Sequence, residues 1–119
     1  MLLLTGLTAA LLILDENRQE LRKLALTDAL TGIYNRHGFD KHVTVYMKKY
    51  PEKHCVGVQF DIDDFKLIND IYGHASGDKA LQILAESMRT SLPDHAVLGR
   101  NGGDEFCIFL PDCTCKEAE

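Results

Sequence analysis

Apolar and polar positions along the chain fall into blocks that predict the order helix, strand, helix, strand, strand. The stretch from Met1 to Leu14, MLLLTGLTAALLIL, carries no charge and gives way abruptly to Asp15-Glu16-Asn17-Arg18. Residues 15–26 suit a helix, with Leu14, Leu21 and Leu24 near one stripe, a linker with some coiled-coil character. Thr27-Asp28 then offers a cap or turn, and Leu30-Thr31-Gly32 breaks the pattern. Phe39, Val43, Met47 and Tyr50 recur at helical spacing, which predicts an amphipathic helix over residues 38–50, ended by Pro51. Cys55-Val56-Gly57-Val58-Gln59-Phe60 reads as a mostly buried strand running into Asp61-Ile62-Asp63-Asp64. After a polar, glycine-bearing stretch, Leu81, Leu84, Met88 and Leu92 mark a second long helix, starting near Ser76 and stopped by Pro93. Ala96-Val97-Leu98 and Phe106-Cys107-Ile108-Phe109-Leu110 flank Asn101-Gly102, the short-range signal of a tight β-hairpin. The fold class is α/β, a sheet layer with flanking helices and a hairpin.

The uncharged start bears on location. A membrane-spanning helix needs about 20 apolar residues, so these 14 are too few alone. A signal peptide wants basic residues ahead of its apolar core, and here Met1 leads straight into leucine. The expectation is the end of a transmembrane helix whose start is lost, with an apolar oligomerisation helix as the alternative. Arg22 and Lys23 favour a cytoplasmic exit, hence a cytoplasmic domain attached to the inner membrane. The 119 residues allow one domain with an appendage, divided here into residues 1–26 and residues 27–119.

Charge and cysteine usage narrow the partners. With 13 basic and 18 acidic residues the net charge is -5, which argues against broad nucleic-acid binding. A polyphosphate ligand would need a metal ion to offset that charge. The four cysteines, Cys55, Cys107, Cys113 and Cys115, read as structural thiols in a reducing cytoplasm, with a soft-metal pair at Cys113 and Cys115 as the alternative. Cys113 and Cys115 supply only two ligands, and a closed zinc site needs about four.

Candidate chemistry gathers in two acidic clusters, each at a strand end. Asp61-Ile62-Asp63-Asp64 does not fit an EF-hand loop, because Lys66 stands where the required glycine belongs and Tyr72 where the last glutamate belongs. A solvated acidic turn is the plain alternative. If the strand ending at Asp61 lies beside the one beginning at Glu105, then Asp61, Asp104 and Glu105 converge on one cation site. Carboxylates without Cys or His select magnesium or manganese over zinc. Magnesium usually shares its shell with substrate phosphates, so the inference is a nucleotide-phosphate site. Gly102 and Gly103 let a ligand approach the backbone closely. Lys66 suits the terminal phosphates, though most lysines are solvated surface. Asn69 and Asp78 are candidates for guanine recognition, since a carboxylate accepts from both N1 and the exocyclic amine. Their plain alternatives are a turn residue and a first-turn acid favoured by the helix dipole.

Three motifs stand in order: Asp28-Ala29-Leu30-Thr31-Gly32-Ile33-Tyr34-Asn35-Arg36, then Asp61 through His74 with Gly77-Asp78, then Arg100-Asn101-Gly102-Gly103-Asp104-Glu105-Phe106. Together they resemble the diguanylate cyclase (GGDEF) domain, from about Thr27 to the C-terminus, and the preceding helix resembles a signalling linker. The resemblance implies a palm-like nucleotide cyclase sheet and the condensation of two GTP into cyclic di-GMP with release of pyrophosphate. Carried over by position, Asp61, the Ile62 carbonyl and Asp104 would hold Mg2+ or Mn2+. Glu105 would bind metal or help activate the ribose 3′-hydroxyl. Asn69 and Asp78 would bind guanine, while Lys66 and the backbone near Asp64 and Phe65 would hold phosphates. Each subunit would hold one GTP, so the family's reaction implies a homodimer. The family's inhibitory Arg-x-x-Asp, at a fixed distance before the glycine pair, is replaced by Pro93-Asp94-His95-Ala96, so no such product site is expected. The family continues past this point with another helix, further strands and a lysine-bearing phosphate segment; the expectation is a fragment that is itself inactive, with an unpaired sheet edge. The alternative is a non-catalytic GTP-binding or protein-interaction module of the same family.

Overall fold

The computed structural model describes residues 2–112, with side chains described from residue 5 onward. Cys113 and Cys115 lie outside the described residues. The first element, α1 (Leu2–Leu26), joins the apolar start and the polar linker in one helix of 25 residues, since no proline interrupts them. Among the described residues, no helix is long and apolar enough to cross a membrane. A two-residue strand, β1 (Tyr34–Asn35), follows, too short to show in hydrophobic periodicity. Next comes α2 (Arg36–Lys49), which starts ahead of the predicted Gly38 because Asn35 caps it, its side-chain oxygen accepting from the Gly38 N–H.

The strand β2 (Cys55–Asp61) ends on the first acid of its cluster. The polar, glycine-bearing stretch, for which no element is predicted, then holds α3 (Phe65–Tyr72), entered through Asp64 in a left-handed conformation with φ 58°. Its Phe65, Ile68, Ile71 and Tyr72 recur at helical spacing, but over only eight residues among polar neighbours. Gly73, at φ 89°, separates it from α4 (His74–Ser91). The chain closes with β3 (Val97–Gly102) and β4 (Glu105–Pro111).

The four strands form one sheet in the order β1-β3-β4-β2, in which β1 runs parallel to β3 and the other pairs are antiparallel. Alternation along β3 and β4 assigns each residue to a face. Leu98 and Phe106 pack on Leu81, Ala85 and Met88 of α4, together with Ile33, to form the core. The opposite face meets α2, where Tyr46 and Phe109 make an edge-to-face contact with ring centres 5.6 Å apart. The result is a sheet between helical layers, as predicted. β2 is an outer strand, with Gly57, Val58 and Gln59 exposed.

The hairpin turn differs from the expectation. The register pairs Gly102 with Glu105, so the turn is Gly103-Asp104 and not Asn101-Gly102. A register shift between Arg100 and Gly102 absorbs Asn101, and the Nε of Arg100 donates to the Gly103 carbonyl at 2.9 Å. These two features move the reversal two residues along the chain.

Candidate active site

An unbroken antiparallel ladder carries β2 and β4 from Cys55 opposite Pro111 to Asp61 opposite Glu105. The two acidic clusters are thereby brought together: directly opposed partners share a face of the sheet. Just past the strand end the Ile62 N–H donates to the Asp104 carbonyl at 3.3 Å. Asp104 itself sits in the turn and is half-buried, while Asp61 and Glu105 are exposed.

Adjacency of backbone does not gather all three carboxylates. Among the described residues, no three His, Cys, Asp or Glu side chains group closely enough to hold a metal by themselves. Glu105 opposes Asp61 within the ladder, whereas Asp104 lies in the turn, off the strand. The donors on offer are carboxylates and the Ile62 carbonyl, with no thiol or imidazole. That hard-oxygen set fits magnesium or manganese, whose remaining positions go to water and phosphate oxygens.

Gly102 and Gly103 take φ of 122° and 54°, and the space beside both is open. Their backbone is accessible to a ligand above the turn. On the neighbouring elements, Asp64, Phe65 and Lys66 form the entry to α3, with Lys66 exposed. Asn69 is half-buried on α3 and stands against Gly77 of α4, and Asp78 follows next, exposed. The fold thus presents a pair of acids, an open glycine turn, a helix entry with a cation, and an amide near a carboxylate.

One functional contact has no signal in local sequence. The Nη1 of Arg100 reaches Asp28 at 3.0 Å, and the Asp28 carboxylate also accepts from the Thr31 hydroxyl at 2.6 Å and the Thr31 N–H at 3.0 Å. Burial works against ionisation of Asp28, but the Thr31 bonds and Arg100 outweigh it and hold the carboxyl below its ordinary range. Because Arg100 also grips Gly103, the loop after α1 is tied to the hairpin turn. Asp28 and Arg100 each fell inside a motif, yet nothing in their spacing pairs them.

The family model described as diguanylate cyclase, GGDEF domain, matches residues 25–119. The chain is 40% identical over 109 residues to "Probable diguanylate cyclase DgcE" of Escherichia coli, covering 87% of this chain and 10% of that protein. It is also 40% identical over 103 residues to "Cyclic di-GMP phosphodiesterase NbdA" of Pseudomonas aeruginosa, covering 85% of this chain and 13% of that one. The chain therefore spans a small part of the curated relatives it matches. Among solved structures, the coiled coil and GGDEF domain of DgcB from Caulobacter crescentus, in complex with c-di-GMP, superposes with a TM-score of 0.84 at 30% identity. That likeness covers 95% of this chain and 60% of the other. With the motifs, the sheet and the family match all in agreement, this chain belongs to the diguanylate cyclase GGDEF-domain family.

Proposed function

We propose that residues 27–119 belong to the catalytic domain of a diguanylate cyclase, which joins two GTP into cyclic di-GMP and releases two pyrophosphates. The observation that carries this reading is the direct opposition of Asp61 and Glu105 beside the open Gly102-Gly103 turn. In each half-reaction a ribose 3′-oxygen bonds to the α-phosphorus of the other GTP, and the bond from that phosphorus to the bridging oxygen breaks.

Glu105 takes the role of accepting the 3′-hydroxyl proton, while Asp61, Asp104 and the Ile62 carbonyl would hold Mg2+ or Mn2+. The ion supplies charge neutralisation at the phosphates when bound. Lys66 and the backbone at Asp64 and Phe65 position the phosphates. Asn69 and Asp78 select guanine, the carboxylate accepting from N1 and the exocyclic amine. Catalysis of this kind is mostly alignment and charge stabilisation. Each copy binds one GTP, so two copies must face each other. Exposed Leu7, Leu11, Leu14 and Leu21 on α1 supply an apolar seam at heptad-like spacing for a second copy.

The test is chromatography of the nucleotides formed when the gene product is incubated with GTP and magnesium. Cyclic di-GMP is expected, and its loss in Glu105→Gln. On the binding side, Asp78→Ala removes a charge-assisted contact worth about 1.5–3 kcal/mol, a tenfold to hundredfold weakening of GTP binding by calorimetry. Unchanged GTP affinity, or equal affinity for ATP, would instead favour a palm-type nucleotidyltransferase acting on another nucleotide.

A further inference from the structure

Gly77 is the fourth residue of α4 and is buried where α4 crosses α3. A methyl group there would land on the Asn69 Oδ1, with the Asn69 Cγ at 2.9 Å and the Phe65 Cζ at 3.3 Å. The Phe65 ring is itself packed against the core, so it blocks one direction of escape. Glycine inside a helix is ordinarily unfavourable relative to alanine. Here the absent side chain is what leaves room for the Asn69 amide.

We propose that Gly77 is a positioning residue: the bare backbone of α4 at this point fixes where the Asn69 amide stands and thereby contributes to guanine preference. This rests on the reading that Asn69 and Asp78 select guanine. Gly77 immediately precedes Asp78, so the same turn of α4 that seats the amide also presents the carboxylate. An added methyl forces one of two responses. Either Asn69 rotates away while the helices stay put, or α3 is pushed off α4. Both move the amide away from its place against Gly77, and neither requires Gly77 to touch the nucleotide.

The experiment measures GTP and ATP binding, with magnesium, to the full-length gene product and to its Gly77→Ala, Asn69→Ala and double variants, alongside their thermal unfolding. Gly77→Ala and Asn69→Ala are each expected to reduce the preference for GTP over ATP by about tenfold, the loss of one hydrogen bond. In the Asn69→Ala background, Gly77→Ala should cause no further loss of preference, because the amide that the added methyl displaces is gone. If Asn69→Ala loses preference while Gly77→Ala keeps it, or if the two losses simply add, the positioning role is overturned. If Asn69→Ala keeps full preference, or the unaltered chain does not favour GTP, the guanine reading itself fails, and this inference with it.

Discussion

The guanidinium of Arg100 holds Asp28, 72 positions earlier in the chain, and the Gly103 carbonyl at the hairpin turn. Both partners of the ion pair are largely shielded, with side chains 14% and 18% exposed. Arg100→Ala would leave a shielded carboxylate without its cation and the turn without its brace. A loss of about 1.5–3 kcal/mol is expected in urea unfolding. Arg100→Lys should restore only part of it, since one ammonium group does not reproduce the guanidinium fork.

Acid should weaken the fold through the same carboxylate. Its pKa in the folded chain lies below 3.8, the ordinary value that it regains on unfolding. The stabilisation is therefore fully present above that value and is lost as pH falls through the lower, folded one. Asp28→Asn removes this titration, so its unfolding free energy should depend less steeply on pH below about 4 than that of the unaltered chain. Equal slopes for both proteins would show that Asp28 has no role in the acid limb.

Asn35 joins two helices with one side chain. Its Oδ1 accepts from the Gly38 N–H at 2.9 Å and its Nδ2 donates to the Ala25 carbonyl at 3.0 Å. Asn35→Ala loses both bonds and should cost about 1–2 kcal/mol. Asn35→Asp keeps the cap but has no donor for Ala25, so its loss should be smaller. Hydrogen exchange separates the two effects: amides at the end of α1 should exchange faster in both variants, those at the start of α2 only in Asn35→Ala.

Much of this arrangement was legible in the chain. The long helices announced themselves through Phe39, Val43 and Met47 and through Leu81, Leu84 and Met88, because burying one face imposes a period. The opposition of Asp61 and Glu105 followed once both were placed at strand ends. Three things were not legible. β1 is too short for a period, α3 shows its helical spacing over only eight residues, and the turn at Gly103-Asp104 depends on the Asn101 register shift and the Arg100 bond. Asp28 and Arg100 illustrate the general limit: a contact across 72 positions comes from the fold, and spacing carries no trace of it.

Cys107 offers a check on the packing between α2 and the sheet. Burial, with Asp40 adding to it and Arg36 opposing it, pushes its thiol up to about 11. The thiol also donates to the Asn101 Oδ1 at 3.6 Å. At pH 8 it should resist iodoacetamide in the folded chain while half-buried Cys55 reacts faster, as mass spectrometry of peptides would show. Stability should decline as pH rises from the unfolded value of 9.0 through 11, since the folded state disfavours the thiolate.

On the proposed reading, in which Asn69 and Asp78 select guanine, the interruption at Gly73 sets the geometry of that selection. Asn69 and Asp78 are nine residues apart, and in an unbroken α-helix of about 3.6 residues per turn that separation places two side chains on opposite sides of the axis. A single continuous rod would point the amide and the carboxylate away from each other. Broken at one residue with φ 89°, the same sequence becomes two rods meeting at an elbow. Under that proposal, choice of base is a property of the elbow as much as of the groups it carries, and a change that straightened it would separate the amide from the carboxylate while leaving both in place.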